Sequence, residues 1–244
     1  MRPLAPLDNV AQHSSFDLER GDAAETHERS AHRIGETSAG MRRAIAAAAG
    51  NPQGLRAWAA ENGAQVAAES INRLDEAADF RSQGEEHRVA GDPASGRVVK
   101  FTKDGRFGNQ GIHLYLSSLE RSNVLFDIGN VIEGIAEQAD GSVSIVTSQR
   151  YFQGDKPTPE VIENWMAQKG YYRVGALTFY KPDTEEAIND AKPENIMQTR
   201  DGELHPFDVS FRTMTGTAAE MAENVARRSP YYPGSASLRA LTGI

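Results

Sequence analysis

Asp190-Ala191-Lys192-Pro193-Glu194-Asn195-Ile196-Met197 is the stretch whose reading decides the fold. An Asp stands five residues before an Asn, with Lys and Pro between them. Asp, Asn and Pro are ordinary turn residues, so this string alone leaves a purely structural role open. The following residues narrow the choice. Ile196-Met197 and the pair Leu204 and Phe207 flank the turn Asp201-Gly202, which reads as a hairpin. Pro206-Phe207-Asp208-Val209 comes next, with Asp208 eighteen residues after Asp190. That interval holds one short strand, a turn and a second strand. Such a path returns the second carboxylate beside the first.

Upstream, Glu86 to Ala90 and Arg97 to Phe101 read as a hairpin around the turn residues Asp92-Pro93-Ala94-Ser95-Gly96. Lys100 closes the β-branched run Arg97-Val98-Val99-Lys100. A loop from Asp104 to Gly111 leads to an amphipathic helix through Leu114, Tyr115, Leu116, Leu119, Leu125 and Phe126. Glu120 is the acid of that helix. Ile128 to Ile135 and Val143 to Val146 read as two strands, with Asp140-Gly141-Ser142 as a hairpin turn between them. Thr158-Pro159-Glu160 carries the cap and first-turn Pro of a helix, with Val161, Trp165 and Met166 as its apolar face. Thr178-Phe179-Tyr180 and Ile188 flank a Pro-Asp-Thr turn. Trp58 and Trp165 read as core anchors, and His205 as a packing residue of its hairpin.

The first 40 residues hold four Arg against seven acids and few large apolar side chains, which reads as a weakly ordered segment. His13, His27 and His32 lie there without a matched metal-ligand set. Met41 to Gly50 is an Ala-rich helix, and a second begins at Pro52 with Leu55, Trp58 and Ala59 on one face. A further short helix is expected over 65–77, with Val66, Ile71 and Leu74 buried. Residues 41–79 thus read as a helical extension, and 214–244 as a partly helical tail.

The Asp190–Asn195 string with Asp208 resembles the catalytic loop and metal-binding segment of the protein-kinase-like fold. The more specific resemblance is to the kinase-like domain found in polyvalent proteins of phages and mobile elements. It rests on Gly84-Glu85-Glu86-His87-Arg88-Val89, Val98-Val99-Lys100, Tyr115 to Phe126, Ser148 to Gly154, Asp190 to Asn195 and Pro206 to Val209, and covers roughly residues 80–213. The resemblance implies an α+β, two-lobed kinase-like fold with a reduced C-terminal lobe. It implies ATP and Mg²⁺ as cofactors and a hydroxyl acceptor, on a protein Ser, Thr or Tyr or on a small molecule. Asp190 would orient the acceptor hydroxyl, and Lys192 would steady the transferred phosphate. Asn195 and Asp208 would hold the metal through hard oxygens. Lys100 would hold the nucleotide phosphates, and Glu120 would fix Lys100. Gln149 and Tyr151, at the end of their strand, would meet the adenine.

The pattern also departs from a usual protein kinase. Gly84, Gly91 and Gly96 do not make a G-x-G-x-x-G loop. Ile188-Asn189 precedes the first Asp, Val209-Ser210 follows the second, and no A-P-E follows. A pseudokinase or interaction module that binds nucleotide without turnover is therefore the rival reading. The net charge of −8 argues against direct nucleic-acid contact, and the absence of Cys excludes disulfide scaffolds and thiolate chemistry. There is no apolar run of membrane-spanning length and no signal-peptide pattern, so a cytoplasmic location without a membrane partner is expected.

Overall fold

The computed structural model describes residues 23–47, 53–67, 80–83, 87–92, 96–103, 111–137 and 141–233. The chain divides into two compact units, Met1–Tyr151 and Phe152–Ile244.

Among the described residues, the first unit is a five-stranded antiparallel sheet with three helices. In chain order these are α1 (Ala23–Ala47), α2 (Gln53–Glu61), β1 (Phe80–Gln83), β2 (His87–Asp92), β3 (Arg97–Thr102), α3 (Ile112–Phe126), β4 (Val131–Glu137) and β5 (Val143–Arg150). The strand order is β1-β2-β3-β5-β4. The expected hairpin is β2–β3, and α3 separates β3 from β4, as expected. Strand β1 was not anticipated.

Side chains alternate along a strand, and directly opposed residues share a face. Lys100 opposes Thr147, so it shares a face with Ile145 two residues away. That face is the one the helices cover. Ile145, Val143 and Ile135 pack with Met41 and Ile45 of α1, Leu55 and Ala59 of α2, and Ile112 and Leu116 of α3. The opposite face carries Phe101 and Val146 with Val66 and Ala136. Val66 gets there because residues 64–66 run along the β4 edge. The Val66 amide donates to the Ile135 carbonyl at 2.9 Å, and the Ile135 amide to the Ala64 carbonyl at 2.8 Å.

Two expectations about the N-terminal half need correction. Residues 23–40 are helical rather than weakly ordered, and α1 runs on to Ala47. Ile34, Ser38, Met41 and Ile45 are buried at helical spacing, which gives the helix a face to pack although its composition is polar. Residues 1–22 lie outside the described residues. At the start of the expected 65–77 helix, Gln65 bridges Ile135 in a parallel β pairing instead. The remainder, from 68, lies outside the described residues, as does Gly84.

The second unit contains β6 (Gly154–Asp155), α4 (Pro159–Gln168), β7 (Tyr172–Arg173), β8 (Phe179–Lys181), β9 (Glu186–Asn189), β10 (Ile196–Thr199), β11 (Leu204–Pro206), β12 (Ser210–Thr213) and α5 (Thr217–Ala226). Thr158 caps α4 by accepting from the Val161 amide at 3.4 Å, with Pro in the first turn. The buried face of α4 is Ile162 and Met166, not Val161, which is exposed. Trp165 is not a core anchor either: it is only half-buried, with the Lys169 ammonium over its ring at 4.7 Å. Two antiparallel sheets follow, β12-β9-β8-β7 and β11-β10-β6.

Candidate active site

Two strand pairings bring the second unit's chemistry together. Strand β12 returns onto β9, with Ser210 opposite Asn189. Strand β11 returns onto β10, with Pro206 opposite Ile196. The loop leaving β9 (190–195) and the loop leaving β11 (207–209) are therefore bracketed at both ends by the same pairings. The Asp201-Gly202 turn drives this return. The Thr199 hydroxyl and the Glu203 amide both donate to the Asp201 carboxylate.

Asn195 ties the two loops into one constellation. It is buried at 6% exposure, in a single 3-10 turn opened by Pro193. Its Nδ2 donates to the Asp190 carbonyl at 2.9 Å, the Asp190 Oδ2 at 2.7 Å and the Asp208 carbonyl at 2.8 Å. The Phe207 amide donates back to the Asn195 carbonyl at 3.0 Å. Three acceptor oxygens around one nitrogen fix the amide's orientation, because a flip would set Oδ1 against all three. Oδ1 is thereby turned away from them. It can serve as a neutral hard-oxygen donor, beside the exposed carboxylate residue Asp208.

Asp190 itself has φ +59°, in the left-handed region, which Asp tolerates better than most residues. The strained backbone is held by the Lys192 amide on its carbonyl at 2.9 Å and the Ala191 amide on the Leu177 carbonyl at 3.1 Å. Its carboxylate is about half exposed and faces the Lys192 ammonium at 3.1 Å. Asp190, Lys192, Asn195 and Asp208 are thus brought together in one place: a carboxylate acceptor, a cation and an amide oxygen, with a second carboxylate residue joined by its main chain.

The first-unit candidates divide. Lys100 is buried at 8% exposure on the helix-covered face of the sheet. Gln149 is buried on the same face, two residues beyond Thr147, and its Oε1 has no hydrogen-bond partner among the described residues. Glu120 does not pair with Lys100. It sits on the edge of α3 that meets α1, and its Oε1 accepts from Arg42 Nη2 at 2.5 Å. The Tyr151 amide donates to the Gly96 carbonyl at 2.8 Å and the Arg150 amide to the Ile128 carbonyl at 3.3 Å. Those two N–H groups are paired within the unit. Sequence reasoning gave Arg42 no part. Its only signal was the spacing of Ser117 and Glu120, one helical turn apart.

A family model described as serine/threonine/tyrosine kinase found in polyvalent proteins matches residues 49–215, well over half of the chain. The chain belongs to this family. No curated protein and no solved structure matches it. Membership brings kinase-type phosphotransfer as the activity class and places all the candidate residues, from Lys100 to Asp208, inside the matched span. The kinase match begins well before residue 80, the expected edge of the domain, and takes in α2 and the 64–66 edge segment. Helices α1 and α5 lie outside it. Among the described residues, no helix is long and apolar enough to cross a membrane.

Proposed function

We propose that this chain is an ATP- and Mg²⁺-dependent phosphotransferase acting on a hydroxyl acceptor, a protein Ser, Thr or Tyr or a small molecule, in the cytoplasm. The observation that carries this reading is the Asn195 side chain joining Asp190 and Asp208. It holds a carboxylate acceptor and a hard-oxygen donor set in fixed relation. The two compact units correspond in this reading to the two lobes of a kinase, the second one reduced.

Phosphoryl transfer is catalysed mainly by positioning and charge neutralisation. Bound Mg²⁺ supplies neutralisation of the phosphate oxygens, and Asn195 Oδ1 with the Asp208 carboxylate are the groups that would hold it. Asp190 accepts the hydrogen bond of the acceptor hydroxyl and orients its oxygen. Lys192, already beside Asp190, neutralises that carboxylate at rest and offers its charge to the transferred phosphoryl group. From the first unit, Lys100 supplies a buried cation for the nucleotide phosphates and Gln149 a buried amide for the base.

A second reading has one observation in its favour. Arg42 occupies the carboxylate of Glu120, the group expected to pair with Lys100, which suits a protein that binds nucleotide without turnover. Turnover separates the two. With Mg²⁺ and ATP, the enzyme reading expects phosphate transfer or release by the parent chain. It expects a loss of about 10²-fold or more in Asp190→Asn, the scale of a positioned acid–base group. Nucleotide binding without any turnover by the parent establishes the second reading.

A further inference from the structure

Helix α3 is pinned at two places. Near its C-terminus, the Asn123 and Asn130 pair closes it onto the start of β4. Asn123 Nδ2 donates to the Asn130 carbonyl at 2.9 Å, and the Asn130 amide donates to Asn123 Oδ1 at 2.7 Å. On its flank the pin comes from α1. Arg42 Nη1 donates to Ser117 Oγ at 3.2 Å and Nη2 to Glu120 Oε1 at 2.5 Å. Ser117 and Glu120 lie three residues apart, so one guanidinium grips one face of the helix. Just beside Arg42, Met41 and Ile45 share a core cluster with Ile112 and Leu116 of α3. Gly40 lets α1 close on α2, since a Cβ there would lie 2.8 Å from Trp58 Nε1.

Ile112, Tyr115, Leu116 and Leu119 are the α3 residues that join the cluster on the sheet face carrying Lys100. The setting of α3 on the sheet face that carries Lys100 is fixed by this packing together with its two pins. One of the two groups fixing that setting, Arg42, belongs to a helix outside the kinase-family match.

We propose that α1 is a working part of the nucleotide-binding unit, with Arg42 as a positioning residue that acts through Glu120 and Ser117 to hold α3 in the setting that lets Lys100 receive nucleotide phosphates. This inference rests on the proposed function. It differs from the expected Lys100–Glu120 pair, because Glu120 serves the site here by accepting from α1.

The test uses the full chain and two readouts, the melting temperature without nucleotide and the affinity for ATP·Mg²⁺. Arg42→Ala and Glu120→Gln are each expected to weaken ATP·Mg²⁺ binding by about five-fold or more, the low end of measured coupling between sites. Both are expected to melt modestly below the parent, because the pair is only about a quarter exposed on each side, so affinity is compared well below each melting temperature. The exchanged pair, Arg42→Glu with Glu120→Arg, is expected to recover most of the affinity. Single variants that bind ATP·Mg²⁺ as the parent does overturn the inference and leave the proposed function standing. An affinity loss that only follows a fallen melting temperature, with no recovery in the exchanged pair, also overturns it, since that is a packing effect alone. A parent chain that binds no ATP·Mg²⁺, and behaves as Lys100→Ala does, overturns the proposed function and this inference with it.

Discussion

Asn195 is the residue on which the second unit's chemistry turns. Its Nδ2 serves three oxygens from a buried position, and removing it takes that donor from all three, although the two Asp190 oxygens keep their bonds to Lys192. Asn195→Ala is expected to cost about 1–3 kcal/mol, the usual range for lost hydrogen bonds that include one to a charged group. For a chain of this size that is a drop of roughly 2–4 °C in melting temperature per kcal/mol. Asn195→Asp is expected to be worse than Ala, because it sets a second carboxylate against the Asp190 carboxylate and two carbonyls. Thermal melts of the two variants beside the parent check the order. At this scale the site was legible where spacing along one loop carried it: Asp190, Lys192, Asn195 and Asp208 converge as their string suggested. Glu120 was not, because the sequence shows that a helix holds an acid but not which neighbour reaches it first. Arg42 lies 78 residues away, on a separate helix.

At the level of elements, two devices hold the scaffold. The first is the approach of residues 64–66 to the β4 edge. A Cβ on Gly134 would lie 2.2 Å from the Ala64 carbonyl oxygen, a backbone atom with no room to move aside. Gly134→Ala is expected to push that segment off the strand and lower stability by about 1–3 kcal/mol, as overpacking does elsewhere. Urea unfolding midpoints measure it. The second is the β10–β11 turn. The Thr199 hydroxyl, and after it the Glu203 amide, hold the Asp201 carboxyl below its ordinary range. A carboxyl depressed in the folded state adds stability above its unfolded value of about 3.9 and loses it as pH falls through the folded value. Asp201→Asn should therefore melt below the parent at neutral pH, and the gap should close at pH below about 4. A gap that persists there would mean the turn is held by packing instead. The strands and turns of this region were readable, since Asp-Gly and Pro-Asp-Thr punctuate short apolar runs. The last turns of helix α1, from Met41, were readable from their Ala run, but residues 23–40 were not, because a polar composition hides the few buried positions, Ile34 and Ser38, that they set at helical spacing. The helix's Gly40 accommodates Trp58, and Ser38 is buried outright.

For the whole molecule, the family match and the strand pairings bear on the same claim by independent routes. One places the chain among kinases, and the other brings the loops of Asp190 and Asp208 together through β9–β12 and β10–β11. The kinase character was legible because its marks are local strings. The extent of the folded unit was not, because α1 joins the core only through long-range packing. The central claim is metal-dependent phosphoryl transfer, and the most direct measurement is ATP turnover by the full chain with Mg²⁺, compared with Asp190→Asn and with excess chelator. The account predicts turnover that chelation abolishes and that Asp190→Asn lowers by about 10²-fold or more while the fold melts near the parent. Turnover absent from the parent, or present and indifferent to Asp190→Asn, would contradict it.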